Sequence, residues 1–261
     1  MLTLCITSGK GGVGKTTLSI NLGLAMVAAG RRVLLLDGDL GLANLNVMLG
    51  IMPRFTIQDV VRGERTLSQI VTPTAYGLDL IAGGSGIAEL ADLDAQSRDH
   101  FLKGFDRLSG YDVLIVDTGA GIGENVIRFI MACDETLIVT TPHPTSLTDA
   151  YGVIKTVLSR ESRALKLVVN AVNSENDARV VASRLIGVTD KFMKGSLTGI
   201  GYVPRDPLIE RSILAQKPHL ALNPTAASAQ RIREIAKRLL GLPDDDPGHG
   251  FGRFLRRLMG R

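Results

Sequence analysis

The chain has 261 residues, 45% of them hydrophobic, with a formal net charge of +4 and two cysteines. This is enough apolar material for one large α/β core without a second domain. Much of the small basic excess lies in residues 251–261, leaving a near-neutral body that is not an evident nucleic-acid binder, and Cys5 and Cys133 lack the spacing of a zinc site, an iron–sulfur cluster or a disulfide scaffold.

The first predicted strand is the apolar run 2–7, which opens directly into Gly9-Lys10-Gly11-Gly12-Val13-Gly14-Lys15-Thr16-Thr17 and then into an apolar-periodic helix. Gly9, Gly14, Lys15 and Thr16 meet the spacing G-x-x-x-x-G-K-[ST] in the strand-loop-helix context a phosphate loop needs. Glycines at 11, 12 and 14 let the backbone curl around Val13 until successive N–H groups point at phosphate oxygens, and the helix N-terminus adds its partial positive charge. Lys15 is then expected to reach the β- and γ-phosphates, Thr16 to ligate Mg²⁺, and Thr17 to contact the nucleotide nearer the α-phosphate. A second lysine, Lys10, lies where an ordinary phosphate loop has no fixed charge.

Gly30 is the expected stop of the first helix. Strand-like runs follow at 32–37, 78–82, 111–117, 135–140, 166–172 and 199–203, mostly separated by helical patterns, and this alternation predicts a mostly parallel sheet covered on both faces. In such a sheet ligands sit at the carboxyl ends of strands. The run 33–36 ends in Asp37-Gly38-Asp39, and 113–116 ends in Asp117-Thr118-Gly119-Ala120-Gly121. Asp117 has the setting of a Walker B carboxylate, holding Mg²⁺ directly or through its water, and the glycines after it suit a loop that moves when a γ-phosphate leaves. Ser146 with Asp149 predicts a capping box ahead of Ala150, and residues 225–240 predict the last amphipathic helix of the body, ended by Gly241. No N-K-x-D sequence follows the late strands, so a guanine-selective site is unsupported.

Residues 243–250 read as a breaker-rich linker. Beyond it, Phe251, Phe254, Leu255, Leu258 and Met259 fall on one helical stripe among Arg253, Arg256, Arg257 and Arg261, the pattern of a membrane-surface anchor that folds on the bilayer. The expected organisation is thus a phosphate-loop nucleotide-binding domain over 1–242, a linker over 243–250 and a membrane-targeting helix over 251–261. With no leader pattern and no apolar run of spanning length, a cytoplasmic protein with peripheral membrane contact is expected.

The form K-G-G-x-G-K-T-T resembles the deviant Walker A motif of the MinD/ParA/NifH class of dimeric ATPases, and the resemblance covers the whole chain. It implies a doubly wound P-loop fold, ATP with Mg²⁺, hydrolysis to ADP and phosphate, and an ATP-dependent homodimer in which Lys10 reaches across to the partner's nucleotide. Such a cation would arrive in trans at the charge developing in phosphoryl transfer. The resemblance places Asp39 beside the attacking water, with Thr16, Asp39 and Asp117 around the metal. It has Asn44 ordering the first switch or the dimer face, and Asn170 and Asp206 flanking adenine. Asp117-Thr118-Gly119-Ala120-Gly121-Ile122 and the segment 141–151 look more like flagellar-number regulators of the FlhG/FleN (YlxH) type than division-site selectors. Implied partners are an SRP-type flagellar GTPase, flagellar assembly proteins or a transcriptional activator. That type commonly carries a D-Q-A-x-x-L-R segment ahead of the first strand; here the strand begins at Leu2, so GTPase activation is not carried over. The alternatives are a division-site ATPase of the MinD type and a ParA-like DNA-partition ATPase; a nitrogenase-type reductase would need interface cysteines, which the setting of Cys5 and Cys133 disfavours.

Overall fold

The computed structural model describes residues 1–39, 44–83, 108 and 110–243. In chain order it runs β1 (Leu2–Ser8), α1 (Lys15–Ala28), β2 (Val33–Gly38), the short helices α2 (Leu45–Leu49), α3 (Ile57–Val61) and α4 (Leu67–Ile70), then β3 (Val71–Pro73) and β4 (Asp79–Ile81). The second half is β5 (Val113–Ala120), α5 (Glu124–Ala132), β6 (Glu135–Thr140), α6 (Pro144–Arg160), β7 (Ala164–Val172), α7 (Glu175–Phe192), β8 (Ser196–Pro204), α8 (Pro207–Leu214), α9 (His219–Leu222) and α10 (Ala227–Leu239). The strands form one sheet in the order β3-β4-β2-β5-β1-β6-β7-β8. All described pairings are parallel except β3 with β4.

Alternation along the strands sorts their side chains into two layers. Leu4 and Ile6 of β1 and Val33 and Leu35 of β2 join α1 and α10 on one face; Cys5, Leu34 and Leu36 join α5 and α6 on the other. Ile232, Ile235, Ala236 and Leu239 give α10 its buried stripe, and Ala150, Val153, Ile154 and Val157 do the same for α6. β1 lies between β5 and β6, where the order of strands reverses, so its carboxyl end opens on the crevice in which such sheets bind ligands. Register completes the placement. Asp117 lies beside Ile6 of β1 on one side and Asp37 of β2 on the other.

The mostly parallel, doubly covered sheet matches the expectation from the alternating pattern, and its differences are local. The three-residue antiparallel β3 was not expected, because so short a strand leaves no period in the sequence. The expected capping box at Ser146 does not form. α6 begins earlier, at Pro144, whose fixed φ suits a first helical position. Ser146 Oγ instead accepts from the Thr141 N–H at 3.1 Å and lies 3.0 Å from Thr140 Oγ1, pinning the start of α6 to the end of β6. Cys5 and Cys133 are both free and buried. Residues 244–261, which hold most of the expected linker and the entire apolar stripe from Phe251 to Met259, lie outside the described residues. Among the described residues no helix is long and apolar enough to cross a membrane.

Candidate nucleotide site

The loop between β1 and α1 is built by its glycines and by contacts from two distant elements. Gly12 and Gly14 hold φ of +75° and +92°, a region that L side chains rarely enter, and Gly14 is the residue that caps α1. That cap supplies no side-chain acceptor, so the first-turn N–H groups of α1 are left for a ligand, which is how helix N-termini hold phosphate. Ser8 Oγ donates to the Lys10 carbonyl at 2.7 Å and Asn170 Nδ2 donates to the Val13 carbonyl at 2.7 Å. A Cβ on Gly14 would overlap Asn170, and one on Gly9 would overlap the backbone of Asp149 in α6. Gly11 and Gly12 face open space.

Asn170 owes its reach to strained backbone. The next residue, Ala171, has φ +54°, and the β7–β8 register shifts between Val169 and Val172. The strand end is thereby turned toward the phosphate loop, at a conformational cost that clusters at functional sites. With its amide hydrogens on Val13, Asn170 keeps its Oδ1 as an acceptor.

The acidic half of the site is buried. Asp117 is 2% exposed and receives hydrogen bonds from the hydroxyls of Ser19, at 2.7 Å, and Thr16. Burial pushes its pKa up to about 6 against those hydroxyls and the Lys15 ammonium, and Asp37 pushes the same way. Asp37, also buried, is likewise raised to about 6 by burial although it accepts the N–H groups of Asp39, Asn44 and Leu45. Burial lowers the pKa of Lys15, and the charges of Asp117 and Asp39 hold it up. Asp39 sits over the carboxyl end of β5, where a Cβ on Gly119 would lie 3.5 Å from its Oδ1. The loop that follows is fixed at Gly121, whose N–H donates to the Ser8 carbonyl at 2.8 Å.

These are hard oxygen donors, the kind Mg²⁺ takes. Among the described residues no group of three or more His, Cys, Asp or Glu side chains is gathered to hold a metal alone. A cation here would draw on Thr16 and Asp117 and complete its shell with phosphate and water oxygens, the usual pattern for Mg²⁺ beside a nucleotide.

The segment expected to flank the base holds a hydrogen-bonded network around one ionised carboxylate. Asp206 caps α8 by accepting the Leu208 N–H through Oδ1 at 2.9 Å, and Ser228 Oγ donates to its Oδ2 at 2.6 Å. The other side of Ser228 Oγ meets His219 Nε2 at 2.7 Å. Burial lowers the pKa of His219, consistent with a neutral ring that donates from Nε2 to Ser228. Burial raises Asp206, but the donations from Ser228 and Leu208 and the nearby His219 bring it below its ordinary value. Asn21 of α1 ties this segment to the first turns of α1, accepting the Leu220 N–H at 2.8 Å and donating to the Thr17 carbonyl at 2.7 Å.

The structure therefore gathers Lys10, Gly11, Gly12, Val13, Gly14, Lys15, Thr16, Thr17, Asp39, Asp117 and Asn170 at one end of the sheet. Asp206 stands just beyond the end of β8, its two oxygens engaged by α8 and Ser228, so it holds the segment that follows β8 rather than reaching the phosphate loop. Asn44 contributes its backbone N–H to Asp37, while its side chain caps nothing. Sequence reasoning missed Asp37 as the acceptor shared by the Asp39, Asn44 and Leu45 N–H groups, Ser19 as a donor to Asp117, and the contacts made by Asn21, His219 and Ser228. Ser19 was findable one helical turn after Lys15; the contacts of Asn21, His219 and Ser228 join residues too far apart in the chain for any spacing to reveal.

Comparison with known proteins agrees with this fold. A family model described as NUBPL iron-transfer P-loop NTPase, of the ParA type, matches residues 2–240. The chain is 35% identical over 251 residues to antiactivator FleN of Pseudomonas aeruginosa, covering 94% of this chain and 89% of that protein. It is 35% identical over 262 residues to the flagellum site-determining protein YlxH of Helicobacter pylori, covering 98% and 89%. Its backbone is similar to the MinC:MinD cell division protein complex of Aquifex aeolicus, with a TM-score of 0.77, 29% identity, and coverage of 94% of this chain and 98% of that one.

Proposed function

The chain belongs to the ParA/MinD family of P-loop NTPases, and we propose that it is an ATP-driven regulator of flagellar number and placement, alternating between a membrane-bound dimer and a cytosolic monomer. The observation that carries this reading is Lys10. It is a cation inside the phosphate loop itself, on the partly exposed rim of the site, whereas Lys15 is buried within it. Lys15 serves the nucleotide of its own protomer and Lys10 that of the partner. Thr16 and Asp117 would hold Mg²⁺, which when bound neutralises charge on the phosphates. Asp39, above Gly119, orients the attacking water, and Asn170 presents Oδ1 to the adenine edge. The loop after Asp117 responds to loss of the γ-phosphate through its anchor on Ser8.

Likeness to FleN and YlxH supports the flagellar role, and the arginine-flanked stripe at 251–261 supports the membrane step. Each arginine near an anionic leaflet is worth roughly 1 kcal/mol, so one copy binds weakly and a dimer binds by avidity. Both cysteines of the chain are buried in the core, so neither is placed to carry iron at an interface. Co-sedimentation with anionic liposomes tests the cycle. ATP is expected to pellet the protein and ADP to release it, and deletion of 251–261 abolishes pelleting in both. Equal pelleting with ATP and ADP would overturn the coupling.

A further inference from the structure

Lys10 is not free in the single protomer. Its Nζ donates to Thr145 Oγ1 at 2.6 Å. An ammonium has no acceptor capacity, so Thr145 must accept, and its own proton is left for His143 Nδ1 at 2.9 Å. The post that carries Thr145 is rigid. The start of α6 is pinned through Ser146 to the end of β6, and α6 packs so closely on the phosphate loop that Gly9 has no room for a Cβ beside Asp149. Loop and post are thus fixed relative to one another, and the contact is built into the fold of one chain.

We propose that Thr145 is a positioning residue that parks Lys10 on its own protomer and thereby sets how readily the ATP-bound dimer closes. This rests on the reading that Lys10 works in trans. Each protomer must release its lysine before the lysine can cross, so the parked state competes with the dimer. A charge-assisted hydrogen bond at a partly exposed site holds its closed form by a factor of about three. Two such contacts break per dimer, so the dissociation constant carries the square of that factor, about tenfold.

The test is sedimentation velocity of the full chain over a protein concentration series with Mg²⁺ and the non-hydrolysable analogue AMPPNP. Thr145→Val removes the acceptor at equal size and is expected to tighten the dimer about tenfold, with Thr145→Ala behaving alike. Thr145→Ser restores the acceptor and is expected to return the constant to within about twofold of the parent chain, which a merely structural role would not produce. In ATPase assays the concentration of protein giving half-maximal rate falls for Thr145→Val, while the rate at saturating protein is unchanged. An unchanged or weaker dimer in Thr145→Val overturns the parking role. Lys10→Ala separates the two claims. If it dimerises as the parent does, the in-trans reading fails; if it weakens the dimer while Thr145→Val does not tighten it, only the parking role fails.

Discussion

The two sides of the nucleotide site are built on opposite electrostatic plans. On the phosphate side, Asp37 and Asp117 are buried carboxylates raised to about 6, with the partly desolvated Lys15 among them. On the base side, Asp206, Ser228 and His219 form a hydrogen-bonded chain whose donors and acceptors match without a ligand. One half is completed by what binds to it and the other is complete beforehand. On the proposed reading, a site arranged this way keeps a standing platform for the base and concentrates its response in the part that meets the γ-phosphate.

The largest expected effect lies on the phosphate side. Asp39→Ala removes the carboxylate above Gly119 and leaves Asp117, Thr16 and the hydrogen bonds to Asp37 in place. Hydrolysis is expected to fall by roughly 10²–10³, the size of one positioning or charge-stabilising contribution. The ATP-bound dimer is expected to persist, seen as an early peak in size-exclusion chromatography with ATP. A variant that stays monomeric with ATP and keeps full activity would erase the contrast between a reactive half and a standing half.

Asp117→Asn sharpens the same contrast through stability. A carboxyl whose folded pKa is raised from about 4 to about 6 binds an extra proton in the folded state across that window, so its contribution to stability declines as pH rises through it and stays low above. Two units correspond to roughly 2–3 kcal/mol for a single group. The asparagine variant has no such charge. Without nucleotide it is expected to melt above the parent at pH 7.5, with the gap closing as the pH falls to about 4, in scanning fluorimetry across that range. Mg-ATP is expected to reverse the order, because the metal and its phosphates favour the ionised acid. A gap that does not vary with pH would show that burial is not what raises Asp117.

Much of the phosphate side was legible in the sequence because its chemistry is local. Gly9 to Thr17 are contiguous, and Asp39 and Asp117 follow or end apolar strands that the alternation of elements places in one mostly parallel sheet. Local spacing also misled. Ser146 and Asp149 have the capping spacing, but Pro144 starts the helix earlier and Ser146 turns to β6. The base side was mostly illegible. Asn170 could be singled out at a strand end, but its hold on Val13, across 157 positions, depends on the backbone turn at Ala171. His219 and Ser228 are ordinary residues in their own segments and acquire a role only when α9 and α10 fold back on Asp206. Spacing encodes contacts within one element or turn, and these are contacts between elements.

The smallest predicted effect tests the completed half directly. Ser228 is fully buried, gives its proton to Asp206 and accepts that of His219. Ser228→Ala leaves a carboxylate oxygen and a ring N–H facing one another 4.0 Å apart with nothing between them. Loss of a satisfied buried group costs about 1–3 kcal/mol, read as a lower midpoint in urea at pH 8. In the parent chain His219 has a lowered pKa, so its contribution to stability is full above the unfolded value near 6.5 and declines as the pH falls below it. In the variant a protonated His219 faces Asp206 directly and gains from its charge, so the deficit is expected to shrink at pH 5.5. The saturated ATPase rate is expected to hold while KM for ATP rises a few-fold, since the base segment loosens and the phosphate side does not. If the midpoint is unmoved at both pH values, the network contributes nothing measurable and the base side is not the standing half of the site.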